Sequence, residues 1–142
     1  MRFAIRFALL RRQAAPAKAD AEVVQRASQA GLVSIGMTNL SELAFSGIGY
    51  NPHFGTPMSE GRVPGGSSSG AAVSVARGIT RLAVGTDTAG SCRVPAAFQG
   101  VVGFRPTRGR YPMGGVMPLA PSFDTVGSFG RTVTDIIELD AI

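Results

Sequence analysis

The sequence predicts an α/β domain, and three observations carry that prediction. Short apolar runs of strand length alternate with stretches whose apolar residues recur at helical spacing. Glycine and proline punctuate nearly every boundary between them. The 142 residues are 44% hydrophobic, enough for a single core, and no composition shift divides the chain in two.

The chain opens on residues 1–16, read as a basic and poorly ordered leader. Arg2, Arg6, Arg11, Arg12 and Lys18 precede the first acid, whereas the remaining bases and acids balance at nine each. The net charge of +5 therefore belongs to the N-terminus, and a basic nucleic-acid-binding face on the body is unsupported. Phe7–Leu10 is too short for a secretory core and runs into Arg11-Arg12; an organellar transit peptide fits only loosely, because serine is absent there. No apolar run approaches the roughly 20 residues of a membrane span. One cysteine excludes an internal disulfide. A cytoplasmic chain without membrane or nucleic-acid partners is expected.

From Asp20 the pattern becomes regular. Asp20 is placed to cap a helix bearing Val23, Ala27 and Ala30, and Gly31 stops it. Leu32–Ile35 reads as a short buried strand. Asn39 and Glu42 have capping-box spacing for a short helix through Phe45. Residues 46–70 form a loop dense in glycine and proline, and so long an irregular segment points to function. A small-residue helix follows over 71–77, then a strand over 82–86. Pro95 sits in the first turn of another short helix. Val101–Arg105 is strand-like, 108–121 is a second Gly/Pro-rich loop, and a final helix starts near Val133.

Two loops carry the chemistry. Pro64-Gly-Gly-Ser-Ser-Ser-Gly70 opens a helix, and Gly85-Thr-Asp-Thr-Ala-Gly-Ser91 leaves a strand. Each sets hydroxyls on backbone that glycine allows close to a ligand. Consecutive N–H groups aimed at one point suit the tetrahedral charge of acyl transfer, although such loops are also common as plain turns. A phosphate-binding P-loop is excluded, since Ala71-Ala72 follow Gly70 where lysine is required. A thiol nucleophile at Cys92 is disfavoured, since His53 is the sole histidine; a small buried side chain is the preferred reading. One histidine without companions makes no metal site, and no cofactor is expected. Met113, Met117 and Phe123 read as irregular core filling, with contact to an acyl group as the alternative.

Taken in order, Gly36-Met-Thr-Asn-Leu-Ser-Glu-Leu-Ala44, Asn51-Pro-His-Phe-Gly-Thr-Pro57, the triple-serine loop, the Ser91 loop, Arg93-Val-Pro-Ala-Ala97, Gly103-Phe-Arg-Pro-Thr107 and Ser122-Phe-Asp124 resemble the amidase signature family. The resemblance runs from about Ala17 to the C-terminus. It implies a partial α/β/α core with a mixed sheet flanked by helices, an incomplete amidase signature domain over 17–142. It also implies amide hydrolysis through a Ser–cis-Ser–Lys triad. Ser91 then matches the acyl-accepting nucleophile, and Ser67 the bridging serine after a cis peptide. Thr88, Ala89, Gly90 and Ser91 match the oxyanion hole. Ser68, Ser69, Asp87 and Arg93 are supporting residues, the last two as loop-holding groups or an ordinary buried ion pair. Ala89 stands where many relatives have glycine, and alanine tolerates positive φ poorly.

The family's lysine has no counterpart. Lys18 is the one lysine, and neither its context nor its distance from Ser67 matches. Arginine cannot substitute, because guanidinium keeps its proton near neutrality. The chain therefore resembles the middle section of a longer enzyme, acting on a small-molecule amide and prone to self-association through exposed edges. An inactive remnant or binding piece and a section of a tRNA-dependent amidotransferase A subunit stand as alternatives.

Overall fold

The computed structural model describes residues 17–59 and 61–142. The leader expected over residues 1–16 lies outside the described residues. Among the described residues, four helices, α1 (Glu22–Gln29), α2 (Ser69–Ala76), α3 (Arg93–Gln99) and α4 (Val133–Asp140), accompany three strands, β1 (Leu82–Asp87), β2 (Val102–Phe104) and β3 (Thr125–Gly130). The strands form one sheet in the order β1-β3-β2. Both pairings are antiparallel, Leu82 to Asp87 against Gly130 to Thr125 and Val102 to Phe104 against Gly130 to Ser128.

Alternation along β3 explains the layering, since successive side chains point to opposite faces. A Cβ at Gly127 would meet the Cys92 side chain, and Phe129 is fully buried among Ala71, Ala72 and Val75 of α2 and Ala96 of α3. On the other face, a Cβ at Gly130 would meet Asp135 and Ile136 of α4. Helices thus cover both faces, giving the expected α/β/α arrangement. A capping box starts α4: Thr132 accepts from the Asp135 amide at 3.2 Å, while Asp135 accepts from the Thr132 amide at 2.9 Å.

β1 pairs with β3 along one side only. On its other side Thr80 Oγ1 donates to the Leu82 carbonyl at 2.8 Å, and Ser68 Oγ lies 3.3 Å from both the amide and the carbonyl of Thr86. Gly85 makes room for that serine: a Cβ there would stand 2.5 Å from Ser68 Oγ.

Three expected elements differ. Ala21, not Asp20, holds the N-cap position of α1, with no side-chain cap; the Asp20 carbonyl instead accepts from Gln25. Among the described residues Leu32–Ile35 pairs with no strand, and Val33 and Ile35 are exposed. A strand exists only through a partner for its backbone groups, and no described segment supplies one. The helix expected from Asn39 shrinks to a single 3-10 turn, Glu42–Ala44, headed by Ser41. Asn39 is otherwise engaged: its carboxamide donates to the Gly55 carbonyl and accepts from Leu40, and its carbonyl takes the Gly70 amide.

β3 went unforeseen. Its sequence, Thr-Val-Gly-Ser-Phe-Gly, has too few apolar residues to show a pattern, yet every residue is buried because both sheet faces and both edges are covered. Among the described residues, no helix is long and apolar enough to cross a membrane.

Candidate active site

The three serines opening α2 are sorted by their hydrogen bonds. The Pro64–Gly70 turn is buried and tied down from several sides. The Gly66 amide donates to the Gly47 carbonyl at 2.8 Å, the Ser67 carbonyl accepts from Ser41 at 3.0 Å, and the Ser68 amide donates to the Ser91 carbonyl at 3.1 Å. The Gly66–Ser67 peptide is cis. Ser68 Oγ is occupied by Thr86, and Ser69 Oγ donates to the Asn39 carbonyl at 3.5 Å. Ser67 Oγ is different. It is buried, and it has no hydrogen-bond partner among the described residues. A buried hydroxyl without a partner is unusual and calls for a functional account.

The second loop hangs from one carboxylate. Asp87 ends β1, is fully buried, and accepts from the amides of Gly90 (2.8 Å), Cys92 (3.0 Å) and Arg93 (3.4 Å). The Arg93 guanidinium adds bonds of 3.1 and 3.0 Å, and Arg105 Nε approaches to 3.4 Å. Burial pushes the Asp87 carboxyl up, but the Arg93 guanidinium and the Cys92 and Gly90 amides outweigh it and hold it below its ordinary value. These bonds curl residues 88–92 into a tight exit from β1.

The curl divides the loop's amides. Gly90 N–H is spent on Asp87, so it points back into the protein. The amides of Ala89 and Ser91 have no acceptor among the described residues. The left-handed backbone falls on Gly90, with φ of +127°, so Ala89 meets none of the conflict its side chain implied. Cys92 is fully buried, its thiol pushed up by desolvation and then by the Asp87 charge, which makes it inert.

His53 stays exposed on its loop. Its amide donates to Asn51 Oδ1 at 2.9 Å, while Asn51 Nδ2 donates to the Leu40 carbonyl at 2.7 Å. The Asn51–Pro57 segment is therefore folded around a buried asparagine. Lys18 is exposed ahead of α1.

Two features escaped the sequence reading. Asp124 is nearly buried; one oxygen accepts from Thr88 Oγ1 at 2.5 Å and the other from the amides of Leu119 and Ala120 at 2.8 and 2.9 Å. Beside it lies a cavity of about 170 Å³ bounded by Thr86, Thr88, Asp124 and the loop carrying Met113 and Met117. Met113 and Met117 thus line open space, whereas Phe123 is turned to solvent. The aspartate in Ser122-Phe-Asp124 was the one available signal, and its partner five residues upstream is not legible from spacing.

The family model for Amidase matches residues 5–142. The chain belongs to the amidase family. Amidase 1 of Oryza sativa subsp. japonica is 49% identical over 125 residues, covering 86% of this chain and 29% of the relative. Indoleacetamide hydrolase of Pseudomonas savastanoi is 47% identical over 119 residues, covering 82% and 26%. Among solved structures, allophanate hydrolase of Kluyveromyces lactis superposes with a TM-score of 0.84 at 39% identity, covering 88% of this chain and 21% of that one. The chain thus spans about a quarter of the length of such relatives.

Proposed function

We propose that this chain carries the acyl-transfer centre of a serine amidase, with Ser91 as nucleophile and Ser67 as the bridging hydroxyl. One observation carries the reading. Of three adjacent serines, only Ser67 keeps a buried hydroxyl uncommitted, on a turn whose next residue is hydrogen-bonded to Ser91. Ser68 and Ser69 have structural partners and are left out of the relay.

In this scheme Ser91 Oγ attacks the amide carbonyl carbon, and its proton passes to Ser67 and on to a base. The oxyanion takes the free amides of Ala89 and Ser91, with Thr88 on the approach; Gly90 acts through its turn instead. Collapse returns a proton to the leaving amine and leaves the acyl group on Ser91; water then releases the acid. Asp87 and Arg93 hold the loop and touch no reacting atom.

The proton acceptor is the weak point. Lys18 is exposed, and no amine or imidazole among the described residues meets Ser67 Oγ. Without a base, serine loses several powers of ten in rate. The same orphaned hydroxyl favours a second reading, an acyl-binding chain without turnover. A cytoplasmic setting accompanies the proposal, in keeping with a sequence whose one cysteine cannot form an internal disulfide. Self-association is supported by the exposed Val33 and Ile35.

The test is labelling by a small fluorophosphonate, read by mass spectrometry, alongside hydrolysis of aryl amides. Adduct on Ser91 alone, lost in Ser91→Ala, is expected. Labelling that survives Ser91→Ala overturns the assignment. Labelling without turnover selects the second reading.

A further inference from the structure

We propose that the chain's own N-terminal residues Phe3–Leu9 dock as an extended strand on the outer side of β1, in the apolar cleft beside the start of α1. The inference concerns how the fold is completed and stands apart from the amidase reading above.

The cleft comes first. Ala21, Val23, Met37, Val84, Val116 and Val126 line it, an apolar set drawn from α1, two loops and the sheet. α1 is short of cover beside it. Its apolar face, Val23, Val24 and Ala27, is only half-buried, and none of the helix's residues is buried. A short amphipathic helix depends on burial of that stripe for its stability. Met37 is likewise 45% exposed.

The backbone of β1 is a second, independent observation. Thr80 Oγ1 meets the outward carbonyl of Leu82, and Ser68 Oγ meets both outward groups of Thr86. Alternate residues of an antiparallel strand turn their backbone groups to the same side, so Val84 also faces outward, between these two. No described residue meets its amide or carbonyl there. An edge with one open amide–carbonyl pair accepts an added strand and fixes its register at that point. Extending the pairing to Thr86 sets the strand in competition with Ser68.

The sequence names the occupant. Phe3, Ile5, Phe7 and Leu9 alternate with Ala4, Arg6 and Ala8, the period of a strand with one apolar face. That face matches the cleft. Arg6, on the opposite face, suits an edge strand, where a long cationic side chain reaches water and discourages further pairing. Reach is ample. Ala21 lines the cleft, and the twelve residues from Leu10 to Ala21 extend to about 40 Å, against about 20 Å for a six-residue strand. So short a tether holds the segment at a roughly millimolar effective concentration, which favours it over a second copy of the chain.

The experiment uses the full chain throughout. Amide hydrogen exchange at Val84 is compared among the parent, Ile5→Asp, Phe7→Asp, Ala4→Asp and Ala8→Asp. A roughly tenfold loss of protection is expected at Ile5→Asp and Phe7→Asp, and none at Ala4→Asp or Ala8→Asp. Cross-linking decides independently if an aspartate variant fails to fold. Ile5→Cys combined with Met37→Cys is expected to form an intrachain disulfide on mild oxidation, and Ala4→Cys with Met37→Cys to form far less. Cys92 is fully buried and stays out of that reaction. Val84 exchange indifferent to all four aspartates, or equal responses at odd and even positions, overturns the proposal. A disulfide that joins two chains overturns it as well, since the cleft then takes its strand from a second copy.

Discussion

Replacing Asp87 by alanine is the sharpest perturbation of the serine loop. The carboxylate is fully buried and accepts three backbone amides, two of them from Gly90 and Cys92, which are themselves buried. Arg93 is 54% exposed and finds water when its partner goes; Arg105, at 26%, does so less completely. The loss therefore falls mainly on the orphaned amides, each worth about 1–3 kcal/mol when left unsatisfied. Breaking a buried charged pair from the buried side gives a similar total, about 3–5 kcal/mol. Arg93→Ala keeps the amides and Arg105 on Asp87 and is expected to cost less than about 2 kcal/mol. Urea unfolding followed by circular dichroism measures both. The reasoning fails if Asp87→Ala falls within about 1 kcal/mol of the parent, or if Arg93→Ala is the worse variant. The pH profile supplies the sign. Because the folded carboxyl is held below its ordinary value of 3.8, its contribution is present above that pH and is lost as the pH falls through the depressed value. The parent should lose stability on acidification in a way that Asp87→Ala does not.

Three further outcomes are expected. Ser67→Ala should leave stability within about 0.5 kcal/mol, because its hydroxyl has no bond to lose, whereas Ser68→Ala should cost about 1–2 kcal/mol through its two bonds to Thr86; thermal melts distinguish them. Gly103→Ala should cost about 1–3 kcal/mol, since the new methyl would lie 2.5 Å from Ala96 Cβ and 2.7 Å from the Cys92 carbonyl oxygen, and the same melts check it. Cys92 should resist iodoacetamide in the native chain and react only in denaturant, as followed by mass spectrometry, since it is fully buried with a raised thiol.

Legibility in the sequence tracked the range of the interaction. Helices α1 and α4 followed from apolar spacing within one turn, and the motif order exposed the two serine loops. The division of labour among Ser67, Ser68 and Ser69 was beyond reach, because it depends on Thr86 and Asn39, 18 and 30 residues away. Leu32–Ile35 has the composition of a strand but lacks a described neighbour to pair with. The central strand β3 fails the opposite way: burial on all sides removes the alternation by which strands are recognised. Asp124 was quoted only as part of a motif, and its bond to Thr88 spans 36 residues.

The hydroxyls of Thr80 and Ser68 on the outer side of β1 have a mechanical consequence. They occupy backbone positions that an incoming polypeptide would need for sheet extension, and so blunt that border against indiscriminate pairing. One of the two blocking groups belongs to the residue directly after Ser67. A fourth strand docking there must first prise Ser68 from Thr86, so any growth of the sheet is felt at once in the turn that holds the unsatisfied hydroxyl.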